Sequence, residues 1–276
     1  MGIHSRMRKP LLPVTALLSL FTLITAFTPA GNKPEKILKK QGFTLIPSGA
    51  TIVDGKDVTV QSFFVSTSEI TNAQYTAFLD ALKAQGRDAD LQIAAVQNEK
   101  WKLPNSDMKA YAEQYFSHPA YAGYPVVNIS QQAAKMYCAW LEQQLQKQGL
   151  QVKVRLPEKT EWVMAARGGH AGNIYAWNGH ALRNKRGVYM ANFKTEHLAD
   201  DGSYIIAPSR SYFPNDYKLY NMSGNVSEWL STTGICIGGN WWSPEEFIRI
   251  DAAPEFPMSG DASPFIGFRP VITAAW

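Results

Sequence analysis

One loop in the C-terminal half of the chain concentrates the oxygen donors that hard cations prefer. Residues 221–228 read Asn-Met-Ser-Gly-Asn-Val-Ser-Glu and supply an amide oxygen, turn carbonyls near Gly224 and a carboxylate. Calcium takes six to eight oxygen ligands with flexible geometry, so this composition predicts a calcium site. The alternative is a structural loop whose Asn and Glu side chains bond only to the backbone.

The sequence shows no ligand pattern typical of a transition-metal site. The chain has two cysteines, Cys138 and Cys236, and its five histidines lack HxxxH or His-plus-carboxylate spacing. Cys138 lies in an amphipathic helical pattern, where we expect a buried and unreactive thiol. The two cysteines could form one disulfide in an oxidising compartment, although a domain of this size does not need one.

Composition and charge exclude two broad classes of function. The 276 residues are 45% apolar and 18% charged, which is enough to build a sizeable core and argues against global disorder. The formal charge of +4 is weak, and no stripe of Lys and Arg interleaved with aromatic residues is present. We therefore expect no nucleic-acid partner.

The N-terminus has the pattern of an export signal. A basic segment at 6–9 precedes an uncharged apolar run at 11–27, and small residues follow. We predict a signal peptide in 1–30 and a linker in 31–41, in which Ile37 to Lys40 could start a short helix, with the globular part outside the cytoplasm. The alternative is a retained membrane anchor, although the apolar run is at the short end for a span.

Helices in the first half and short strands would position the candidate loop. Hydrophobic periodicity predicts strands at 43–46, 58–65, 125–129 and 152–156, and helices that begin at Thr71, Ser130 and Pro157. From residue 170 onward helix signals nearly vanish, and 204–206 is the main strand candidate. We expect aromatic packing, side-chain hydrogen bonds or bound ions to hold that half together.

Seven segments, in this order, resemble the formylglycine-generating enzyme (sulfatase-modifying factor) family. They are Phe43–Gly49, Ser68–Tyr75, Tyr124–Ser130, Val154–Gly169, Tyr220–Trp229, Gly238–Trp242 and Gly267–Arg269. The resemblance implies an α+β domain over residues 42–276, with the formylglycine-generating-enzyme-like fold. That fold is related to C-type lectins and has low regular secondary structure.

The resemblance also implies two calcium sites. The first follows from the match of the loop already described, and its ligands would be Asn221, Gly224, Val226 and Glu228. The second follows from a looser match, and its ligands would be Asn192, the Phe193 carbonyl, Asp201 and Ser203. A loss of melting temperature in EDTA would be the signature of either site.

The catalytic chemistry of the family is missing from this chain. Catalytic members carry two cysteines shortly after a Gly-Gly turn, and these thiolates bind Cu(I) for O₂-dependent oxidation of a substrate cysteine. Here the two positions hold Ser243 and Ile248, and Pro244 alters the backbone between them. Serine is not a soft ligand and isoleucine has no donor. We therefore expect no copper and no formylglycine generation.

Around the former thiol positions the sequence places aromatic residues beside carboxylates. The predicted binding surface comprises Trp241, Trp242, Ser243, Glu245 and Glu246, with Phe247, Asp251, Glu255 and Asp261 nearby. Such a surface would suit a peptide, a glycan or a protein partner. The alternatives are buried tryptophans with solvated acids, or a carboxylate pair that acts as acid and base.

Three functions remain open at this point. The first is a noncatalytic binding or scaffold module of the cell envelope, similar to the thiol-lacking domains of gliding-motility and type IX secretion lipoproteins. The second is an enzyme, oxidoreductase-like or otherwise, that uses the same cleft without thiols. The third is a formylglycine-generating oxidase, which the thiol loss disfavours. We expect the first, with a protein or glycan partner, and membrane contact only through an uncleaved leader.

Overall fold

The computed structural model describes Met1 and residues 33–101, 108–197, 199–253 and 259–274. The predicted signal peptide, apart from Met1, lies outside these residues. No helix in the described ranges is long and apolar enough to cross a membrane.

Short elements make up the described part of the chain. The helices are α1 (Lys33–Lys40), α2 (Asn72–Ala84), α3 (Asp88–Ala94), α4 (Lys109–Gln114), α5 (Gln131–Lys147) and α6 (Lys159–Ala166). The strands are β1 (Phe43–Ile46), β2 (Gly49–Val53), β3 (Lys56–Val60), β4 (Phe63–Ser66), β5 (Val152–Arg155), β6 (Ser227–Trp229), β7 (Cys236–Ile237), β8 (Ile266–Gly267) and β9 (Val271–Ala274). Single 3₁₀ turns lie at Asn98–Lys100, Pro119–Tyr121 and Glu245–Ile248.

The two longest helices begin where the sequence predicts. At α2 the Thr71 hydroxyl accepts a hydrogen bond from the Gln74 backbone N–H at 3.2 Å, and the Gln74 side chain accepts one from the Thr71 N–H at 2.9 Å. This reciprocal cap satisfies two backbone donors that the first turn would leave unpaired. At α5 the Ser130 hydroxyl accepts from the Ala133 N–H at 3.1 Å.

Three sheets position the C-terminal half of the chain. The largest has the order β1-β4-β9-β5 with antiparallel pairing, so the last strand of the chain lies between β4 and β5. A hairpin joins β2 to β3. In the third sheet β6 pairs antiparallel with β7 and parallel with β8. The turn from β8 to β9, which contains Arg269, therefore connects two of the sheets.

Two predicted segment boundaries differ from the structure. The segment predicted as a linker, 31–41, contains α1, and its Leu38 is buried in the main core. The ordered domain therefore starts at least as early as residue 33. The single strand predicted at 58–65 is divided between β3 and β4.

Two other predicted strands do not form. Segment 125–129 makes one isolated bridge, from Pro125 to Thr71, and Asn128 leaves the extended conformation with a φ of 58°. Residues 204–206 are irregular as well. The strands that form after residue 170 are instead the short elements β6 to β9, which the sequence pattern does not predict.

Candidate functional site

The loop 221–228 adopts a strained, closely packed path before β6. Asn221, Gly224 and Asn225 all have positive φ values. A Cβ at Gly224 would lie 2.2 Å from the Asn192 carbonyl oxygen, so only glycine fits there. The Asn225 N–H donates to that same carbonyl at 2.8 Å. The loop is therefore packed backbone-to-backbone against the neighbouring 192 segment.

Glu228 on β6 forms a buried ion pair with Arg269. Both side chains are almost completely buried, and the Arg269 Nη2 lies 2.6 Å from the Glu228 Oε1. The Arg269 Nε donates to the Glu228 Oε2 at 2.7 Å, and the Trp162 Nε1 donates to the same oxygen at 2.8 Å. The pair therefore links β6, the β8–β9 turn and α6.

Arg269 also satisfies backbone groups on two further segments. Its Nη1 donates to the Ser66 carbonyl at 3.1 Å and its Nη2 to the Tyr220 carbonyl at 2.8 Å. A buried guanidinium must have its donors paired, because an unpaired buried charge is strongly destabilising. The Arg269 side chain is therefore a structural hub that connects β4, β6 and Tyr220, and the spacing of the sequence does not indicate these partners.

Glu69 is a second buried carboxyl group beside this hub. Its Oε1 accepts from the Asn225 Nδ2 at 2.9 Å and its Oε2 from the Asn221 Nδ2 at 3.3 Å. Burial raises the pKa of Glu69 to about 8, the nearby Arg269 guanidinium opposes this, and the Glu228 carboxylate adds to it. Glu69 lies just before α2, and its raised pKa favours the neutral acid at neutral pH.

The predicted ligands of the first calcium loop are engaged with protein groups. Both oxygens of Glu228 accept hydrogen bonds, and Arg269 neutralises its charge. The Asn221 amide nitrogen is directed at Glu69 and at the Pro208 carbonyl. A cation there would have to share the one carboxylate of the loop with a guanidinium. The arrangement of this loop therefore fits calcium poorly.

The second predicted calcium loop contains a buried carboxylate, Asp201, that contacts the backbone of Phe193 and Ser203. Asp201 is 6% exposed, its Oδ2 accepts from the Phe193 N–H at 2.9 Å, and its Oδ1 accepts from the Ser203 N–H at 3.1 Å. Burial raises the pKa of Asp201, and no salt bridge to it forms within the described residues. A bound cation would offset the cost of burying this charge, so the second loop fits calcium better than the first.

Asn192 lies between the two loops and joins them. Its Nδ2 donates to the Ile205 carbonyl at 2.7 Å and to the Asn225 Oδ1 at 3.1 Å. Asn225 Oδ1 also accepts from the Ala207 N–H at 2.8 Å. Buried amide side chains thus replace the strand ladders that this half of the chain lacks.

Neither former thiol position is available as a soft metal ligand. Ser243 is 6% exposed, and its hydroxyl accepts from the Asn240 N–H at 3.0 Å. Ile248 is fully buried and belongs to an apolar cluster with Tyr175, Trp177 and Phe193. A hydroxyl held in a turn and a core methyl group cannot bind Cu(I).

A groove of about 300 Å³ opens beside Ser243. Its walls are Asn240, Trp242, Ser243, Pro244, Phe247 and Phe265. Trp242 is partly exposed, and Phe247 is 41% exposed. Trp242 and Ser243 of the predicted surface, with the neighbouring Phe247, therefore line this groove.

The predicted surface residues are not all part of this groove. Trp241 is buried, and its indole N–H donates to the Pro264 carbonyl at 3.3 Å, as expected for a core tryptophan. Glu245 and Glu246 are exposed on the 3₁₀ turn and do not line the groove. Lys194, which sequence reasoning missed, lies with its Nζ 4.8 Å from the Trp242 ring centre.

The remaining acids and thiols offer no catalytic cluster in the described residues. Asp251 pairs with Arg249, Asp261 bonds to Ser259, and Glu255 lies outside the described residues. No described group of three or more His, Cys, Asp or Glu residues is placed to hold a metal. Burial raises the pKa of the Cys138 thiol, which agrees with the prediction of a buried and unreactive cysteine.

Comparison with known families decides the identity of the domain. The sulfatase-modifying factor enzyme 1-like domain family matches residues 25–274. The chain belongs to this family. The α+β architecture and low regular content predicted from the sulfatase-modifying factor resemblance are confirmed.

Relatives within the sulfatase-modifying factor family include both active and inactive proteins. The formylglycine-generating enzyme of Streptomyces coelicolor is 29% identical over 230 residues, which covers 74% of this chain and 66% of that enzyme. A bovine protein named inactive C-alpha-formylglycine-generating enzyme 2 is 28% identical over 203 residues, which covers 64% of this chain and 62% of that protein. The chain thus spans just under two thirds of the length of each of these relatives.

A solved structure supports the same fold. The crystal structure of CarF superposes with a TM-score of 0.60 at 23% identity and covers 83% of this chain and 97% of CarF. Family membership and fold are therefore secure, while the chemistry of each member depends on its own side chains.

Proposed function

We propose that this chain is a noncatalytic binding module that is exported to the cell envelope. The observation that carries the proposal is the state of the former thiol positions, where Ser243 is held in a turn and Ile248 is buried in an apolar cluster. The Cu(I) chemistry of the catalytic relatives has no ligands here. The proposal that the protein is exported rests on the N-terminal sequence pattern.

The groove beside Ser243 is the surface that the ligand would occupy. Trp242, Phe247 and Phe265 supply apolar contact area, and Lys194 supplies a positive charge at the rim. Aromatic residues in a desolvated pocket contribute most of the affinity in many protein interfaces. This combination suits an extended peptide segment of an envelope protein better than an anionic ligand, since Glu245 and Glu246 are exposed nearby.

Catalysis by non-thiol chemistry has no specific observation in its favour. Among the described residues, the groove walls hold neither a carboxylate nor a histidine. An acid–base mechanism needs a titratable group within hydrogen-bond reach of the substrate. Binding is therefore the function that the groove supports best.

Capture from envelope fractions of the native host tests this proposal. We expect the wild-type protein to retain an envelope protein that the Trp242→Ala and Phe247→Ala double variant releases. The matched control is Ile93→Ala, which shortens another exposed apolar side chain that lies outside the groove. Equal retention by the wild-type protein and the double variant would exclude the groove as the binding surface.

We also propose that one calcium ion binds at Asp201, with Asn192, the Phe193 carbonyl and Ser203 as neighbours. Calcium would supply positive charge to a buried carboxylate that has no cationic partner in the described structure. A ligand that binds only the folded state raises stability by RT ln(1 + [L]/Kd), about 2.7 kcal/mol at a concentration of 100 Kd. We expect calcium to raise the melting temperature by several degrees and EDTA to reverse the effect.

The Asp201→Asn variant is the control for this calcium prediction. It removes the charge but keeps an oxygen at the same position, so its melting temperature should not respond to calcium. The titration should also show one ion per chain, because Glu228 is already paired with Arg269. Identical melting curves for the wild-type protein in calcium and in EDTA would exclude the proposed site.

A further inference from the structure

A second pocket lies on loops that the proposed binding function does not use. It encloses about 240 Å³ between the segment that follows α6 and the turn at 213–216. It shares no wall residue with the groove beside Ser243. The side chains that matter for its chemistry are His170, Trp177, Asn178, Met190, Phe213 and Asp216.

The wall of this pocket is fixed by Asn215. Its Nδ2 donates to the Ala165 carbonyl at 2.8 Å, and its Oδ1 accepts from the backbone N–H groups of Tyr217 and Leu219 at 3.0 and 3.1 Å. Gly168 has φ of 62°, and a Cβ there would lie 3.2 Å from the Asn215 Cβ. The turn that presents Phe213 and Asp216 is therefore anchored to the end of α6.

Part of the pocket wall is aromatic and apolar, although Trp177 itself is buried. The Trp177 ring stacks on Tyr175 with centroids 4.7 Å apart and an angle of 10°, and its indole N–H donates to the Ala181 carbonyl at 3.0 Å. Phe213 is 46% exposed. Met190 also belongs to this part of the wall. An exposed phenylalanine on an anchored turn is a contact surface for a ligand with an apolar face.

Another part of the pocket wall is polar and has spare hydrogen-bonding capacity. The His170 Nε2 and the Asp216 Oδ2 lie 2.7 Å apart. No hydrogen bond from the described residues reaches the Asp216 Oδ1 or the exposed Asn178 amide. Asp216 thus offers an acceptor, and Asn178 offers both a donor and an acceptor, in the same pocket wall as Phe213.

We propose that this pocket binds a neutral saccharide unit. The apolar C–H face of a pyranose would lie on Phe213, and two neighbouring hydroxyls would bond to Asp216 and Asn178. No lysine or arginine belongs to the described wall, so the pocket does not suit a phosphate or carboxylate ligand. Asp216 and Asn178 could form hydrogen bonds with a saccharide that a fully apolar ligand cannot form.

Saturation-transfer NMR with a panel of methyl glycosides of neutral hexoses and N-acetylhexosamines tests the proposal. We expect saturable binding in the millimolar range to at least one glycoside. Phe213→Ala and Asp216→Asn should each weaken it about tenfold, through the lost ring contact and the lost charged acceptor. Both side chains are largely exposed, so we expect the variants to fold.

Two controls show whether the binding is specific to this pocket and which part of a saccharide it recognises. Ile93→Ala should bind the glycoside as the wild-type protein does. Linear oligosaccharides of the same sugar separate recognition of a chain terminus from recognition of an internal unit, since only the latter gains affinity with chain length. Phe213→Ala should keep the Trp242-dependent capture from envelope fractions, so failure at one site does not imply failure at the other.

Three results would overturn the saccharide proposal. The first is no saturable binding of any glycoside at millimolar concentration. The second is binding that both substitutions leave unchanged. The third is preferential binding of a methylammonium probe, which would assign Phe213 and Asp216 to cation recognition instead.

Discussion

Replacing Arg269 by methionine is expected to lower the free energy of unfolding by about 3–5 kcal/mol. The substitution would leave the Glu228 carboxylate buried without its cation, although the Trp162 N–H would still donate to it. It would also leave the Ser66 and Tyr220 carbonyls without the donors that they now have. Urea denaturation followed by circular dichroism measures the loss.

A double variant and an exposed pair provide the controls for Arg269→Met. Glu228→Gln combined with Arg269→Met removes both charges, so it should recover part of the lost stability. Arg249→Met breaks the exposed pair with Asp251 and should change stability by less than about 0.5 kcal/mol. If Arg269→Met is as stable as Arg249→Met, the buried ion pair is not the hub described above.

Replacing Glu69 by glutamine is expected to raise stability in alkaline solution. The pKa of Glu69 is about 8 in the folded protein, against 4.5 for an ordinary glutamate. The folded state therefore holds a proton that the unfolded chain releases. The stability that the protonated Glu69 side chain contributes is fully present below pH 4.5 and is lost as the pH rises to about 8. The pKa difference corresponds to roughly 5 kcal/mol.

Glutamine carries no charge at any pH, so the Glu69→Gln variant should lose this pH dependence. We expect its stability to exceed that of the wild-type protein by a margin that grows from pH 5 to pH 8 and then levels off. Denaturation in EDTA keeps cations away from the adjacent loop during the measurement. Glu113→Gln, an exposed glutamate on α4, is the matched control. Parallel curves for wild type and Glu69→Gln would show that Glu69 is ionised in the folded protein.

The sequence predicted the parts of the fold that depend on local chemistry. Thr71 and Ser130 cap helices through contacts three residues away, and such contacts are visible in the spacing of residue types. The loss of the thiol pair was equally local, since it is the identity of Ser243 and Ile248. These features needed no knowledge of distant contacts.

The features that could not be predicted from the sequence depend on contacts between residues that are far apart in the chain. Glu69 and Arg269 belong to one buried network although 200 residues separate them, so neither the pKa of Glu69 nor the partner of Glu228 follows from spacing. Neighbouring tryptophans likewise take opposite roles. Trp241 packs in the core, and Trp242 faces the groove. Periodicity could not separate them, because the segment has neither a helical nor a strand repeat.

The most direct test of the central claim is an oxidation assay with a sulfatase-type Cys-x-Pro-x-Arg peptide, copper and O₂. The Streptomyces coelicolor formylglycine-generating enzyme serves as the positive control. We expect this protein to leave the peptide cysteine unchanged, with no aldehyde by mass spectrometry above a reaction without protein. Copper-dependent conversion of that cysteine to formylglycine would contradict this expectation.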